Sequence, residues 1–139
     1  MKRKRGFCAM TRRESREKAV GYLFEYSMQP ELSADEILAN AKDEREEEGS
    51  EFAEKTFRTA LANREAIDEL IAGASENWSF KRISKVTLAV LRLAVCELKF
   101  LDEPTPVEIA VNEALELARL YDTDKAIAFV NGVLAKVVN

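Results

Sequence analysis

Apolar positions recur at helical spacing along nearly the whole chain. Between 107 and 121, Val107, Ala110, Val111, Ala114, Leu117, Ala118 and Tyr121 form one stripe, with Glu108, Asn112, Glu116 and Arg119 largely off it, as in an amphipathic helix of a packed bundle. Thr105-Pro106-Val107-Glu108 in front of it reads as a capping box with proline at the first helical position, so a helix should start there. Thr11-Arg12-Arg13-Glu14 and Ser33-Ala34-Asp35-Glu36 carry the same box and place helix starts near 12 and 34. The first of these helices presents Ala19, Val20, Tyr22, Leu23 and Phe24 and should end before Gln29-Pro30. The second presents Ile37, Leu38 and Ala41 and runs into the charged stretch Asp43-Glu44-Arg45-Glu46-Glu47-Glu48-Gly49, read as a solvated helix end and loop.

From Ser50 onward Ala53, Phe57, Ala60, Arg64, Ile67, Ile71, Ala74 and Trp78 recur at steps of three and four, a helical face interrupted once by Arg64. One long helix or two consecutive ones both fit, with Trp78 as a core anchor. Residues 86–101 are apolar nearly all round, as expected of a central helix covered on most sides. A last helix starting near Thr123 carries Ala126, Ile127, Val130, Val133, Leu134 and Val137. Asn131-Gly132 inside it would by propensity mark a turn, yet the period continues; the expectation is that Gly132 allows close helix packing and Asn131 makes a structural hydrogen bond. No strand-like alternation of useful length and no internal repeat interrupts this pattern, so the fold class is all-α.

A chain of 139 residues with 47% hydrophobic and 33% charged residues is long enough for one domain with its own core. The expected organisation is a flexible basic tail over 1–10 and a single helical domain over 11–139. Lys2, Arg3, Lys4 and Arg5 are not followed by the apolar run of a signal peptide, and no stretch has the length and apolarity of a membrane helix, which points to the cytoplasm. Cys8 in the tail and Cys96 in an apolar run are poor partners for a bridge, and Cys96 reads as a small core residue. The first 18 residues hold eight Lys/Arg and two Glu, a net of +6 against −4 for the whole chain, so the remainder carries −10. A basic start on an acidic body draws phosphates locally while the body repels nucleic acid elsewhere.

Catalytic chemistry is thinly represented. The chain has no histidine and only two distant cysteines, which removes the commonest general base and transition-metal ligand. No phosphate-cradling glycine loop or nucleophile turn occurs. Acidic pairs such as Glu113 with Glu116 read as solvated helix faces. A noncatalytic protein without metal or cofactor is expected. The positive signal is Arg12, Arg13 and Arg16, which a helix starting near 12 brings to one side. Guanidinium forks bind phosphates and stack on unpaired bases. From spacing alone the three are equally well ordinary surface arginines paired with Glu14 and Glu17. Replacing all three by Ala should weaken RNA binding while leaving helicity and melting nearly unchanged.

Thr105-Pro106-Val107-Glu108-Ile109-Ala110-Val111-Asn112-Glu113-Ala114 and Phe129-Val130-Asn131-Gly132-Val133-Leu134, with Asn77-Trp78-Ser79-Phe80, Leu88-Ala89-Val90-Leu91-Arg92-Leu93-Ala94-Val95-Cys96-Glu97-Leu98 and Arg16-Glu17-Lys18-Ala19-Val20-Gly21-Tyr22-Leu23-Phe24 upstream, resemble the NusB family of bacterial antitermination factors. The likeness spans most of residues 11–138. It implies about seven helices in two three-helix groups, and a noncatalytic factor that binds boxA single-stranded RNA together with the ribosomal protein NusE. That complex would act with other Nus factors on RNA polymerase and promote processive transcription of ribosomal RNA operons.

Residue by residue, the resemblance favours the functional reading of Arg12, Arg13 and Arg16 as RNA contacts. It matches Phe24 to the family's first-helix aromatic, which here lacks a phenol hydroxyl, and Phe129 to an aromatic at the RNA and partner surface, with core packing as its alternative. Lys125, one turn before Phe129, falls where relatives can carry an acid and would add a phosphate contact. Glu97 matches an acidic position linked to the NusE surface; a solvated or locally paired carboxylate is its alternative. Two other readings remain open: the RNA-binding domain of a ribosomal RNA cytosine methyltransferase, which requires a truncated chain, and a protein-only helical adaptor. Monomer and homodimer are both compatible with the sequence, and Met10 before the Thr11 cap is an alternative start.

Overall fold

The computed structural model describes residues 10–45, 50–75, 79–121 and 124–139. The expectations placed on the basic tail, residues 46–49, Trp78 and Thr123 lie outside the described residues. Within them the chain forms seven α-helices: α1 (Arg12–Met28), α2 (Ala34–Arg45), α3 (Glu51–Ala62), α4 (Arg64–Ala74), α5 (Lys85–Lys99), α6 (Val107–Tyr121) and α7 (Asp124–Val138), with one 3-10 turn at Phe80–Arg82. The all-α expectation holds.

Two of the three expected capping boxes form. Thr11 Oγ1 accepts from the Glu14 N–H at 3.1 Å while Glu14 accepts from the Thr11 N–H at 2.8 Å, and Ser33 and Glu36 exchange the same pair of bonds at 3.1 and 3.0 Å. Thr11 therefore fixes the phase of α1, and with it the direction of every arginine near its start. The third box does not form. The Ala110 N–H bonds to the Pro106 carbonyl at 2.9 Å and α6 starts at Val107, while the Thr105 hydroxyl turns to Glu97 instead.

The choice between one helix and two after Ser50 is settled at Asn63. Its side-chain amide donates to the Thr59 carbonyl at 2.9 Å, and Arg64, the polar interruption of the stripe, donates to the Leu61 carbonyl at 2.9 Å. Side chains thus take carbonyls at the end of α3, and a new helix starts.

The central helix is α5, buried from Thr87 through Glu97 and touching α1, α3, α4, α6 and α7. Around it α1, α2 and α3 contact one another, as do α5, α6 and α7, while α4 leans on α5 and α7. This matches the two three-helix groups. Phe57, Leu23, Ile37, Ile67, Ile71, Leu91, Leu93 and Leu134 are fully buried, each contributing about 1.5–3 kcal/mol relative to exposure. Tyr22 and Phe57 join α1 to α3 with ring centroids 5.4 Å apart. Cys96 is a core residue as expected; burial, helped by the neighbouring Glu97 charge, pushes its thiol up to about 12.

Two expectations about the last helices fail. The buried stripe of α6 is Ala110, Ala114, Leu117 and Ala118, whereas Val107 and Tyr121 at its ends are exposed, because the neighbours cover only the middle of the helix. In α7 the buried side is Val130, Val133, Leu134 and Val137. That phase turns Asn131 and Gly132 outward, and a Cβ on Gly132 would meet nothing within 4 Å. Gly132 is not a close-packing residue.

Candidate nucleic-acid interface

Phase explains how the three N-terminal arginines part company. Arg16 lies in register with Ala19, Val20 and Leu23, the core stripe of α1, so its side chain enters the protein while Arg12 and Arg13 stay at the surface. Arg16 is 5% exposed and meets Glu97, 2% exposed, on the central helix. Its Nε and Nη2 donate to the two Glu97 oxygens at 2.9 and 2.8 Å, a two-pronged charge-assisted pair. The Thr105 hydroxyl donates to Glu97 Oε1 at 2.7 Å, and the Thr105 N–H donates to the Glu97 carbonyl at 2.8 Å. A buried carboxylate left with unused lone pairs is costly; satisfying it takes precedence over capping α6, which is why the expected Thr105 cap is absent.

The expectation of a three-arginine surface patch is therefore revised. Arg16 is an internal tie between α1 and α5, and a triple alanine variant that includes it would not leave melting unchanged. Nor do the pairs fall on Glu14 and Glu17. Arg13, 55% exposed at its side chain, donates through Nε and Nη2 to Glu113 of α6 at 3.1 and 2.8 Å. Glu113 also approaches Arg16, at 3.7 Å. It is only 14% exposed, so the expectation of a solvated helix face fails for it, while Glu116 pairs locally with Arg119 at 2.8 Å. Hydrogen bonding from Arg13 holds the Glu113 carboxyl below the usual carboxylate range, against the opposing effect of burial, and the same bond raises Arg13.

Arg12 takes a third course. Its guanidinium carbon stands 4.0 Å from the centre of the Phe52 ring, with that of Arg16 5.6 Å from the same ring, within cation–π range. Phe52 is placed by the start of α3, where Ser50 caps the helix by accepting from the Ala53 N–H and donates to Ser15 of α1 at 2.7 Å. The three arginines, with Glu103, Pro104, Thr105, Pro106, Ile109 and Glu113, line an open depression of about 580 Å³ between the start of α1 and the α5–α6 connection.

The other expected residues lie elsewhere. Phe24 is exposed on α1, Lys125 is exposed on α7, and Phe129 is partly buried against the core; none lines the depression. Glu97, expected at a partner surface, lies beneath the depression as its anchor. The residues that spacing did not single out are Phe52, Thr105 as a ligand of Glu97, and Glu113. None of the three left a sign in the spacing; the readable sign was that Arg16 stands in phase with Val20 and Leu23, since an in-phase arginine needs a buried acid.

Open and edged by exposed guanidinium groups, this depression suits an extended polyanion. It is a poor fit to a small substrate that must be enclosed. Among the described residues no group of three or more His, Cys, Asp or Glu could hold a metal, and no helix is long and apolar enough to cross a membrane. The fold and site define a helical scaffold with a basic edge suited to phosphate chains.

The NusB family model matches residues 13–139. The transcription antitermination protein NusB of Natranaerobius thermophilus is 39% identical over 134 residues, covering 94% of this chain and 96% of the relative. That of Listeria monocytogenes serotype 4a is 40% identical, covering 92% and 96%. Among solved structures, T. maritima NusB matches with a TM-score of 0.79 and 32% identity, covering 92% of this chain and 90% of that one. A crystal structure of antitermination factors NusB and NusE in complex with dsRNA matches with a TM-score of 0.77 and 28% identity, covering 91% and 94%. The chain belongs to the NusB family.

Proposed function

We propose that this protein is a noncatalytic transcription antitermination factor that binds RNA through the basic edge at the start of α1, jointly with a NusE-type ribosomal protein. The observation that carries the reading is the exposure of Arg12 and Arg13 side by side at an open depression, on a scaffold whose solved relative holds NusE and RNA. Arg12 offers a fork already seated on Phe52, and Arg13 offers one turned toward the same depression. Such forks grip phosphates in two-pronged fashion but carry no sequence information by themselves. Preference for boxA would then come from unstacked bases and from the second protein, two weak contacts joined into one stronger one.

Phe24, Lys125 and Phe129 belong to this proposal as contacts away from the depression. Glu97 contributes from beneath, by holding Arg16 and Thr105. Association with other Nus factors and RNA polymerase, a cytoplasmic site of action, and the division into a basic tail over 1–10 and a domain over 11–139 belong to the same reading. A homodimer is one of its two possible oligomeric states. The test is the affinity for a boxA single strand, its scrambled version and a duplex of the same length, with and without the ribosomal protein, over a salt series. Preference for the boxA strand that sharpens with the protein partner is expected, with a log–log slope of about −0.7 per phosphate contact. Equal, weak binding to all three that the partner does not change would overturn the reading.

A further inference from the structure

Arg12 and Arg13 border the same depression but do not stand equally ready. Arg12 makes no ion pair among the described residues and rests on Phe52. Arg13 has its fork filled by the two oxygens of Glu113, the geometry in which a guanidinium also takes two phosphate oxygens. A phosphate that is to use Arg13 in this way must first displace a carboxylate.

Displacement is feasible because Glu113 already has a second cation beside it. Its Oε1 already lies 3.7 Å from Nη1 of Arg16. Arg16 donates to Glu97 through Nε and Nη2, leaving Nη1 turned toward Glu113. When Arg13 swings out, the Glu113 charge keeps a cation beside it, so the exchange does not leave a half-buried carboxylate unpaired, the outcome that makes most such exchanges prohibitive. Arg13 at 55% exposure has room to move, while Glu113 at 14% exposure and Arg16 at 6% do not.

We infer that Glu113 is an internal stand-in for phosphate, a residue that sets RNA affinity by occupying Arg13 and yielding it only to a ligand that supplies phosphates to Arg12 at the same time. This rests on the proposed RNA-binding reading. A single small anion would gain too little to displace Glu113, whereas an RNA strand held at Arg12 presents its next phosphates at high local concentration. The contact thus favours a phosphate chain over isolated anions.

The experiment is a double-mutant cycle on full-length protein with a boxA single strand as the probe: wild type, Glu113→Gln, Arg13→Ala and the double variant, each checked for folding by thermal melting. Removing the charge of Glu113 should tighten binding about threefold to tenfold, and most of that gain should vanish in the Arg13→Ala background. A gain of the same size with or without Arg13 would mean that only a general negative charge had been removed and would overturn the inference. So would weaker binding by Glu113→Gln, which would make Glu113 a support for Arg13. Loss of folding in Glu113→Gln is met by Glu113→Asp, whose shorter side chain reaches Arg13 less well and should tighten binding in the same direction; no gain there counts against the inference. If wild type binds the strand and no variant tightens it, the inference fails and the RNA-binding reading stands. If neither wild type nor variants bind, both fail.

Discussion

Two arginine–carboxylate clusters tie α1 to the rest of the molecule, and they differ in what lies beyond them. At the start of α1, Arg16 and Glu97 pair in the interior and the pair continues outward through Thr105, Glu113 and Arg13 to the open depression. Further along, Arg92 of α5 holds Asp68 of α4 through two bonds of 2.8 Å, donates to Ser27 of α1 at 3.0 Å and lies over Tyr26. The chemistry is the same, a guanidinium fork on a carboxylate. The second cluster links three helices and stops there. The first is the footing of a surface at which two further arginines stand exposed. An arginine in a sequence is therefore no evidence of binding until its phase on the helix is known: Arg16 and Arg92 lie in the interior, and Arg12 and Arg13 reach the surface.

The contrast can be broken from the inside. Removing the Glu97 carboxylate by Glu97→Ala leaves a guanidinium buried without its partner and should cost about 3–5 kcal/mol, read as a fall in the urea midpoint. Replacing both members, as in Arg16→Met with Glu97→Leu, should recover most of that loss, because the penalty belongs to the orphaned charge and not to the absence of the pair. Arg92→Ala should cost less, about 1.5–3 kcal/mol, since Asp68 is 28% exposed and can be rehydrated; RNA affinity should be unchanged.

The smallest effect concerns acid. Glu113 titrates below an ordinary carboxylate because Arg13 donates to it. Its contribution to stability is therefore fully present above the unfolded carboxyl value of about 4.3, and is lost as pH falls through the lower folded value. Melting temperature followed from pH 6 to pH 3 should fall less steeply at the acid end in Glu113→Gln than in wild type. Identical acid limbs would show that the Arg13 contact contributes nothing to folding.

Much of the architecture was legible in the residue pattern. Local signals were enough where the cause is local: the Thr11 and Ser33 boxes fix two helix starts, and the largely apolar run at 86–101 marks α5 as the centre. The failures at Thr105 and Glu113 share one physical origin. Thr105 has every local reason to cap α6, and instead serves a carboxylate eight residues back that needs a third bond. Glu113 looks like a surface acid on α6, yet it faces α1 across 100 residues of chain. Pairings across helices decide such residues, and spacing within one helix does not carry them. Arg16 is the instructive middle case. Its register with Val20 and Leu23, together with Glu97 inside an apolar run, held the buried pair in plain view, but three arginines close in sequence read more readily as one patch.

We propose that Arg12 and Arg13 bind RNA while Arg16, one helical turn further on, holds the fold. The most direct measurement is the affinity for a boxA single strand, alongside the free energy of unfolding, for Arg12→Ala with Arg13→Ala and separately for Arg16→Met with Glu97→Leu. The arginine pair variant should lose at least about tenfold in affinity while its stability stays within about 1 kcal/mol of wild type. The interior variant should lose less affinity than that, because Arg16 serves the RNA only indirectly, by staying beside Glu113 when Arg13 is released. Full binding by the variant lacking Arg12 and Arg13 would contradict the account, as would loss of binding confined to the well-folded interior variant.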